Sequence, residues 1–223
     1  MDLTDAIQLP SGLWGSTKDI ANICQKDKVR ALVLSDSHFY RSVVSAIITC
    51  HKDADILIFC GDGIGDIIEN AADLPPLVAF VRGNNDSGTY PFAFGERLEY
   101  LKIPKTLLFS VADVPVLLTH GDGFSFFDPV GDSVIAARME GASVVISGHT
   151  HRSLFAKKNG VLCINPGSVS RPRGCPASFA ILDFERGKSF PSYEFFKIEA
   201  DGSNSSFLFK PFTPKEFIDD WLL

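Results

Sequence analysis

The chain is predicted to fold as an α/β sheet domain. From Val29 onward, short apolar runs with strand character alternate with apolar positions at helical spacing, the signature of sheets covered by helices. Five of those runs end beside Asp, Asn or His, as expected where strand ends carry a site. Apolar and aromatic residues make up 45% of 223 residues, enough to bury one substantial core.

Arg30–Ser35 reads as the first strand, and Val43, Val44, Ile47 and Ile48 follow at the spacing of one helix face. Asp55–Cys60 is a second strand. Residues 64–72 can form a short helix that Pro75 and Pro76 end, because proline has no amide proton to donate. Leu77–Val81 reads as a buried third strand. Residues 99–119 look like strands separated by turns, closing on Val116–Thr119; a helix is expected from about Gly131 to Glu140 and a strand at Ser143–Ser147. Asn159-Gly160, between apolar runs at 153–156 and 161–164, is a tight-turn dipeptide. Ala177–Phe184 and Ser192–Ile198 add two strands around Gly187-Lys188. Residues 1–28 read as an N-terminal extension with a short helix at Thr17–Gln25, residues 29–200 as the domain, and residues 201–223 as a C-terminal tail. A terminal helix at Pro214–Leu223 could dock on the domain through Phe217, Trp221 and Leu222.

A net charge of -6 argues against nonspecific binding to nucleic acid or to an anionic membrane, which needs clustered positive charge. A small phosphorylated substrate stays compatible, since bound cations would supply local positive potential. Residues 1–28 show no basic segment leading into an apolar stretch, and no run approaches the roughly 20 apolar residues of a membrane span, so a cytoplasmic protein is expected. The five cysteines form no CxxC pair and read as reduced packing thiols, with Cys60 the one nearest to candidate ligands. The 19 phenylalanines read as core, which leaves a homo-oligomer contact open.

Asp36 and His38 follow the first strand, Asp62 the second, Asn84 the third, His120 the run at 116–119, and His149 with His151 the run at 143–147. Singly, an Asp-x-His or Gly-Asp at a strand end is ordinary turn chemistry. The ordered set is different, because it holds four of the five histidines and offers carboxylate, imidazole and amide oxygen without thiolate. Those donors suit borderline divalent ions such as Mn, Fe or Zn. Gly61, Gly83, Gly121 and Gly148 lie beside ligand positions, where a permissive backbone allows close approach.

The motifs Asp36-Ser-His38, Gly61-Asp62, Gly83-Asn-Asn-Asp86, His120 and Gly148-His-Thr-His151 resemble those of the calcineurin-like metallophosphoesterase superfamily. Ser147–His151 with Asn165-Pro-Gly-Ser168 is similar to its small YfcE-like phosphodiesterase branch. The resemblance implies a four-layer αββα sandwich of two mixed β-sheets with a dinuclear metal site at the strand C-terminal ends. By motif, Asp36, His38 and His151 would bind one divalent ion, Asn84, His120 and His149 a second, and Asp62 both. Manganese is the first expectation, with iron, zinc, nickel or magnesium as alternatives. A hydroxide generated between two such ions would attack phosphorus in line.

Where many members carry a histidine after the ligand Asn, this chain has Asn85, which cannot serve as a general acid near neutral pH. Asn85 could still donate to a phosphate oxygen, and Asp86 reads as a group orienting a ligand. A small phosphodiester with a good leaving group is therefore expected to be a better substrate than an unactivated monoester. Asp122, two residues after His120, reads equally as a turn cap or an orienting group, and Arg171 and Arg173 as solvent-facing or phosphate-binding. The alternative is a non-enzymatic interaction scaffold, since the superfamily includes a retromer subunit; the retained ligand set favours an enzyme.

Overall fold

The computed structural model of the chain describes residues 6–9, 12–94, 97–201 and 206–214. Residues 215–223 of the expected terminal helix lie outside the described residues. The N-terminal segment gives β1 (Ala6–Gln8), β2 (Trp14–Ser16) and α1 (Thr17–Gln25). The Ser16 hydroxyl caps α1 by accepting the Asp19 N–H at 3.0 Å. Then come β3 (Lys28–Leu34), α2 (Arg41–Cys50), β4 (Ile56–Phe59), α3 (Ile64–Glu69) and β5 (Leu77–Phe80). A ribbon of β6 (Thr89–Phe94) and β7 (Arg97–Lys102) leads into β8 (Thr106–Val111) and β9 (Val114–Thr119). The rest comprises α4 (Pro129–Glu140), β10 (Val144–Ile146), β11 (Ser153–Lys158), β12 (Val161–Pro166), β13 (Ser178–Glu185), β14 (Ser192–Ala200) and β15 (Phe207–Phe212).

The larger sheet has eight strands in the order β1-β2-β5-β4-β3-β13-β14-β15, and the smaller has five in the order β11-β12-β10-β9-β8. Both are mixed. β3, β4 and β5 run parallel in the first, and β9, β10 and β12 in the second. Because side chains alternate across a strand, each sheet feeds two apolar layers. Leu32, Leu57, Val78 and Phe179 face α2 and α3, where Val44, Ile47 and Ile67 cover them. Val33, Ile58, Ala79 and Leu182 face the second sheet and meet Val116, Leu118, Ile146 and Ile164. On the far side, Leu117, Val145 and Cys163 are covered by Val130, Val134 and Ala137 of α4. Three apolar interfaces thus separate four layers, the αββα order the resemblance implies.

The punctuation of the sequence explains most boundaries. Asp128 accepts the Gly131 N–H at 2.8 Å, Pro129 opens α4, and Gly141 ends it with φ of 73°. Asn159 and Gly160 both take positive φ, 53° and 79°, as the hairpin between β11 and β12 requires. Four strands are not legible locally: β1, β2, β6 and β15 are short or interrupted by Gly15, Pro91 or Pro211, and each is defined by the strand it pairs with. β2 pairs with β5, and β15 with β14, so chain on both sides of residues 29–200 lengthens the larger sheet. His51, outside the ordered set, packs edge-on against Phe179 with ring centroids 5.2 Å apart. Among the described residues, no helix is long and apolar enough to cross a membrane.

Candidate metal centre

Three parallel strands of one sheet and two of the other end on a common rim. β3 runs into Asp36 and His38, β4 into Asp62, β5 into Asn84, β9 into His120, and β10 into His149 and His151. The loops are sewn together by their backbones: the Asp36 N–H donates to the Gly61 carbonyl and the His38 N–H to the Asp62 carbonyl, both at 3.0 Å. The Gly148 N–H donates to the His120 carbonyl at 2.9 Å. Asp36, His38, Asp62, His149 and His151 all adopt left-handed backbone, with φ between 45° and 64°. Each such residue costs roughly 1 kcal/mol or more, so this concentration persists only because the surrounding structure imposes it.

One ligand atom from each of Asp36, His38 and His151 lies within 4.8 Å of the others, and the same holds for Asp36, Asp62 and His120. His151 Nε2 stands 3.1 Å from Asp36 Oδ1 and 3.2 Å from His38 Nε2. The two sets share Asp36, and Asp62 Oδ2 of the second lies 3.8 Å from His38 Nε2 and 3.5 Å from His120 Nε2. The His149 ring packs against His120 with centroids 5.1 Å apart, and Asn84 is exposed on the adjoining turn. Five of the seven candidates therefore form close donor groups, and His149 borders them.

Backbone carbonyls set the tautomers. His120 Nδ1 donates to the Cys60 carbonyl at 2.8 Å and His151 Nδ1 to the Arg171 carbonyl at 2.5 Å, which turns both Nε2 lone pairs toward the carboxylates. The buried Asp36 Oδ1 and His120 Nε2 have no hydrogen-bond partner. Acceptor atoms gathered in this way repel one another, and a divalent cation among them is what their chemistry fits. Burial would raise the Asp62 carboxyl, but neighbouring His120 and the Asn85 donors outweigh it and hold Asp62 well below the usual carboxylate range. Burial would lower His120, yet Asp62 and Asp36 raise it. The site favours positive charge.

Asp86 ties the loops of this cluster together, and the exposed Asn85 touches one of its carboxylates. Asp86 Oδ2 accepts the N–H groups of Asp62 at 2.6 Å and Gly83 at 2.9 Å, and its Oδ1 those of Gly63 and Ile64, both at 3.0 Å. One carboxylate thereby ties the loop after β4 to the loop after β5. The Asn85 amide donates to Asp62 Oδ2 at 2.6 Å, so in this structure it engages the candidate ligand itself. Ser35, Ser168 and Ser170 also support the site: Ser35 Oγ donates to Asp36 Oδ2 at 2.5 Å, and the Ser168 and Ser170 hydroxyls donate to the Asp36 carbonyl. Serine is too common in loops for these roles to be read from sequence. Cys60 serves through its carbonyl, since burial pushes its thiol well up and keeps it protonated.

A Cβ at Gly83 would lie 2.1 Å from Asp62 Oδ1, closer than atoms can approach. Gly83→Ala is expected to displace Asp62, cost about 1–3 kcal/mol in stability and weaken divalent-ion affinity. Chemical denaturation and isothermal titration with Mn check both parts; unchanged affinity would show that this close packing is dispensable.

An αββα sandwich with acid and imidazole donors at the shared rim of its sheets defines a candidate metallohydrolase. Residues 29–187 match the calcineurin-like phosphoesterase superfamily domain, and the chain belongs to that family. It is 31% identical over 151 residues to a probable metallophosphoesterase of Methanocaldococcus jannaschii, covering 65% of this chain and 69% of that protein. A phosphodiesterase of the same organism is 28% identical over 167 residues, covering 69% of this chain and 92% of its own length. Vacuolar Protein Sorting 29 from Cryptosporidium parvum shares the fold at a TM-score of 0.63 and 18% identity, covering 84% of this chain and all of its own.

Proposed function

We propose that this chain is a divalent-metal-dependent phosphodiesterase acting on a small phosphodiester. The observation that carries the reading is the pair of close donor groups that share Asp36, with Asp36 Oδ1 and His120 Nε2 buried and unpartnered. In this reading Asp36, His38 and His151 hold one ion, Asn84, His120 and His149 a second, and Asp62 both, with manganese as first choice. Bound there, the ions would polarise the phosphoryl group and lower the pKa of a water toward neutrality.

The chain's own groups do the rest. The carbonyls of Cys60 and Arg171 keep Nε2 of His120 and His151 free as lone-pair donors. Asp86 fixes the Asp62 loop, and Asn85 orients the Asp62 carboxylate without offering an acidic proton. A leaving group that departs without protonation fits such a site, which favours an activated diester over an unactivated monoester. The relative named as a phosphodiesterase supports the same direction.

Turnover of bis(p-nitrophenyl) phosphate is expected with Mn, with a lower rate on p-nitrophenyl phosphate. Chelation should reduce it to background and added Mn should restore it, and His120→Ala should lower kcat/KM by at least about 100-fold. Full activity in chelator would sink the metal reading. The likeness to Vacuolar Protein Sorting 29 favours a second reading, a non-enzymatic scaffold, and absence of turnover with every divalent ion tried would select it.

A further inference from the structure

A half-enclosed cleft opens beside His149, between the loop that precedes α4 and the segment joining β10 to β11. Phe124, Phe126, Leu154 and Ile164 supply its apolar walls, and Arg152 borders it. Several of its polar lining groups are spent on the fold. Ser133 Oγ donates to the Pro129 carbonyl, while the Asn165 amide donates to the Gly148 carbonyl and Thr150 Oγ1 and accepts the Gly167 N–H. What remains for an occupant is mainly apolar and aromatic surface, with His149 and Arg152 also on its lining.

Phe126 is 57% exposed and Phe127 93% exposed, so neither ring is held there by burial. The loop that displays them is nonetheless anchored, through the Ser125 N–H to Asp132 Oδ2 at 2.5 Å and the Phe127 N–H to Ser125 Oγ at 3.2 Å. The Arg152 guanidinium lies over the Phe126 ring, 5.4 Å from its centroid, and steadies that ring at the mouth. His149 belongs at once to the cleft and, through His120, to the donor cluster. A phosphoryl group at the cluster would direct one ester substituent into the cleft.

Resting on the phosphodiesterase reading, we propose that this cleft is a subsite for an aromatic ester group, which makes the substrate class phosphodiesters bearing an aryl or nucleobase-like substituent. Stacking and edge contacts of one ring on Phe126 and Phe124 are worth about a tenfold gain in affinity.

The test is titration calorimetry of the Mn-loaded protein with diphenyl phosphate and dimethyl phosphate, which share the phosphodiester group and differ in the substituent. Diphenyl phosphate should bind roughly tenfold more tightly, and Phe126→Ala should bring the ratio of dissociation constants close to one. Met139→Ala, at an exposed position on α4, should leave that ratio unchanged. Equal affinities in the unaltered protein would overturn the subsite, as would a ratio insensitive to Phe126→Ala. Light scattering supplies a separate check: a dimer that Phe126→Ala and Phe127→Ala dissociate would make these rings a contact between copies and overturn the proposal. Because binding needs no turnover, a tenfold preference without hydrolysis would retain the subsite and defeat only the hydrolytic reading.

Discussion

Asp62→Asn should lower turnover by about a thousandfold while leaving the fold in place. Its Oδ2 lies between His38 Nε2 and His120 Nε2, and a carboxamide there removes a negative charge and puts either a donor or a weaker acceptor against the histidines. Losing one preorganised electrostatic group of this kind costs roughly a hundred- to a thousandfold, and if Asp62 serves two ions as proposed the loss should reach the upper figure. The chain without metal should lose only part of its stability, because the carboxamide keeps an acceptor for Asn85 but forfeits the favourable charge beside His120. Added Mn raises Tm in proportion to how tightly the native state binds it, so that rise should shrink. Steady-state kinetics and a thermal titration measure the two effects, and full turnover in the variant would refute a shared ligand at this position.

Asp86→Ala is expected to act the other way, on stability first. The substitution leaves the N–H groups of Asp62, Gly63, Ile64 and Gly83 without their common acceptor. An unsatisfied buried amide costs about 1–3 kcal/mol, and since water can reach some of these the total should be roughly 3 kcal/mol. For a chain of this length that corresponds to a Tm lower by roughly 6–12 °C. Metal affinity should fall as well, because the same carboxylate sets the spacing between the Asp62 and Asn84 loops. Asp86→Asn keeps one acceptor oxygen and should fall between the two in calorimetry. A variant as stable as the parent would show that these loops hold their shape without Asp86.

The candidate ligands stand out in the sequence because their types are unusual for their setting: an apolar core has little use for Asp, His or Asn at the ends of five apolar strands. The supporting groups do not stand out. Ser168 and Ser170 look like ordinary loop residues until tertiary folding brings them onto Asp36. Asn85 illustrates the limit well, since its lack of an acidic proton follows from its chemistry, whereas its bond to Asp62 depends on where two loops meet.

The sequence by itself determined the alternation of strands and helices, the cap and turn positions such as Asp128, Gly141 and Asn159-Gly160, and the ordered acid and imidazole set. Each is encoded within a few neighbouring residues. Only the tertiary structure decided that β2 and β15 join the larger sheet, that Asp86 ties two loops, and that Cys60 and Arg171 carbonyls fix the histidine tautomers. It also placed Phe126 and His149 on one cleft. Those outcomes depend on backbone groups and distant partners, and a backbone carbonyl carries no mark in the sequence that says which side chain it will meet.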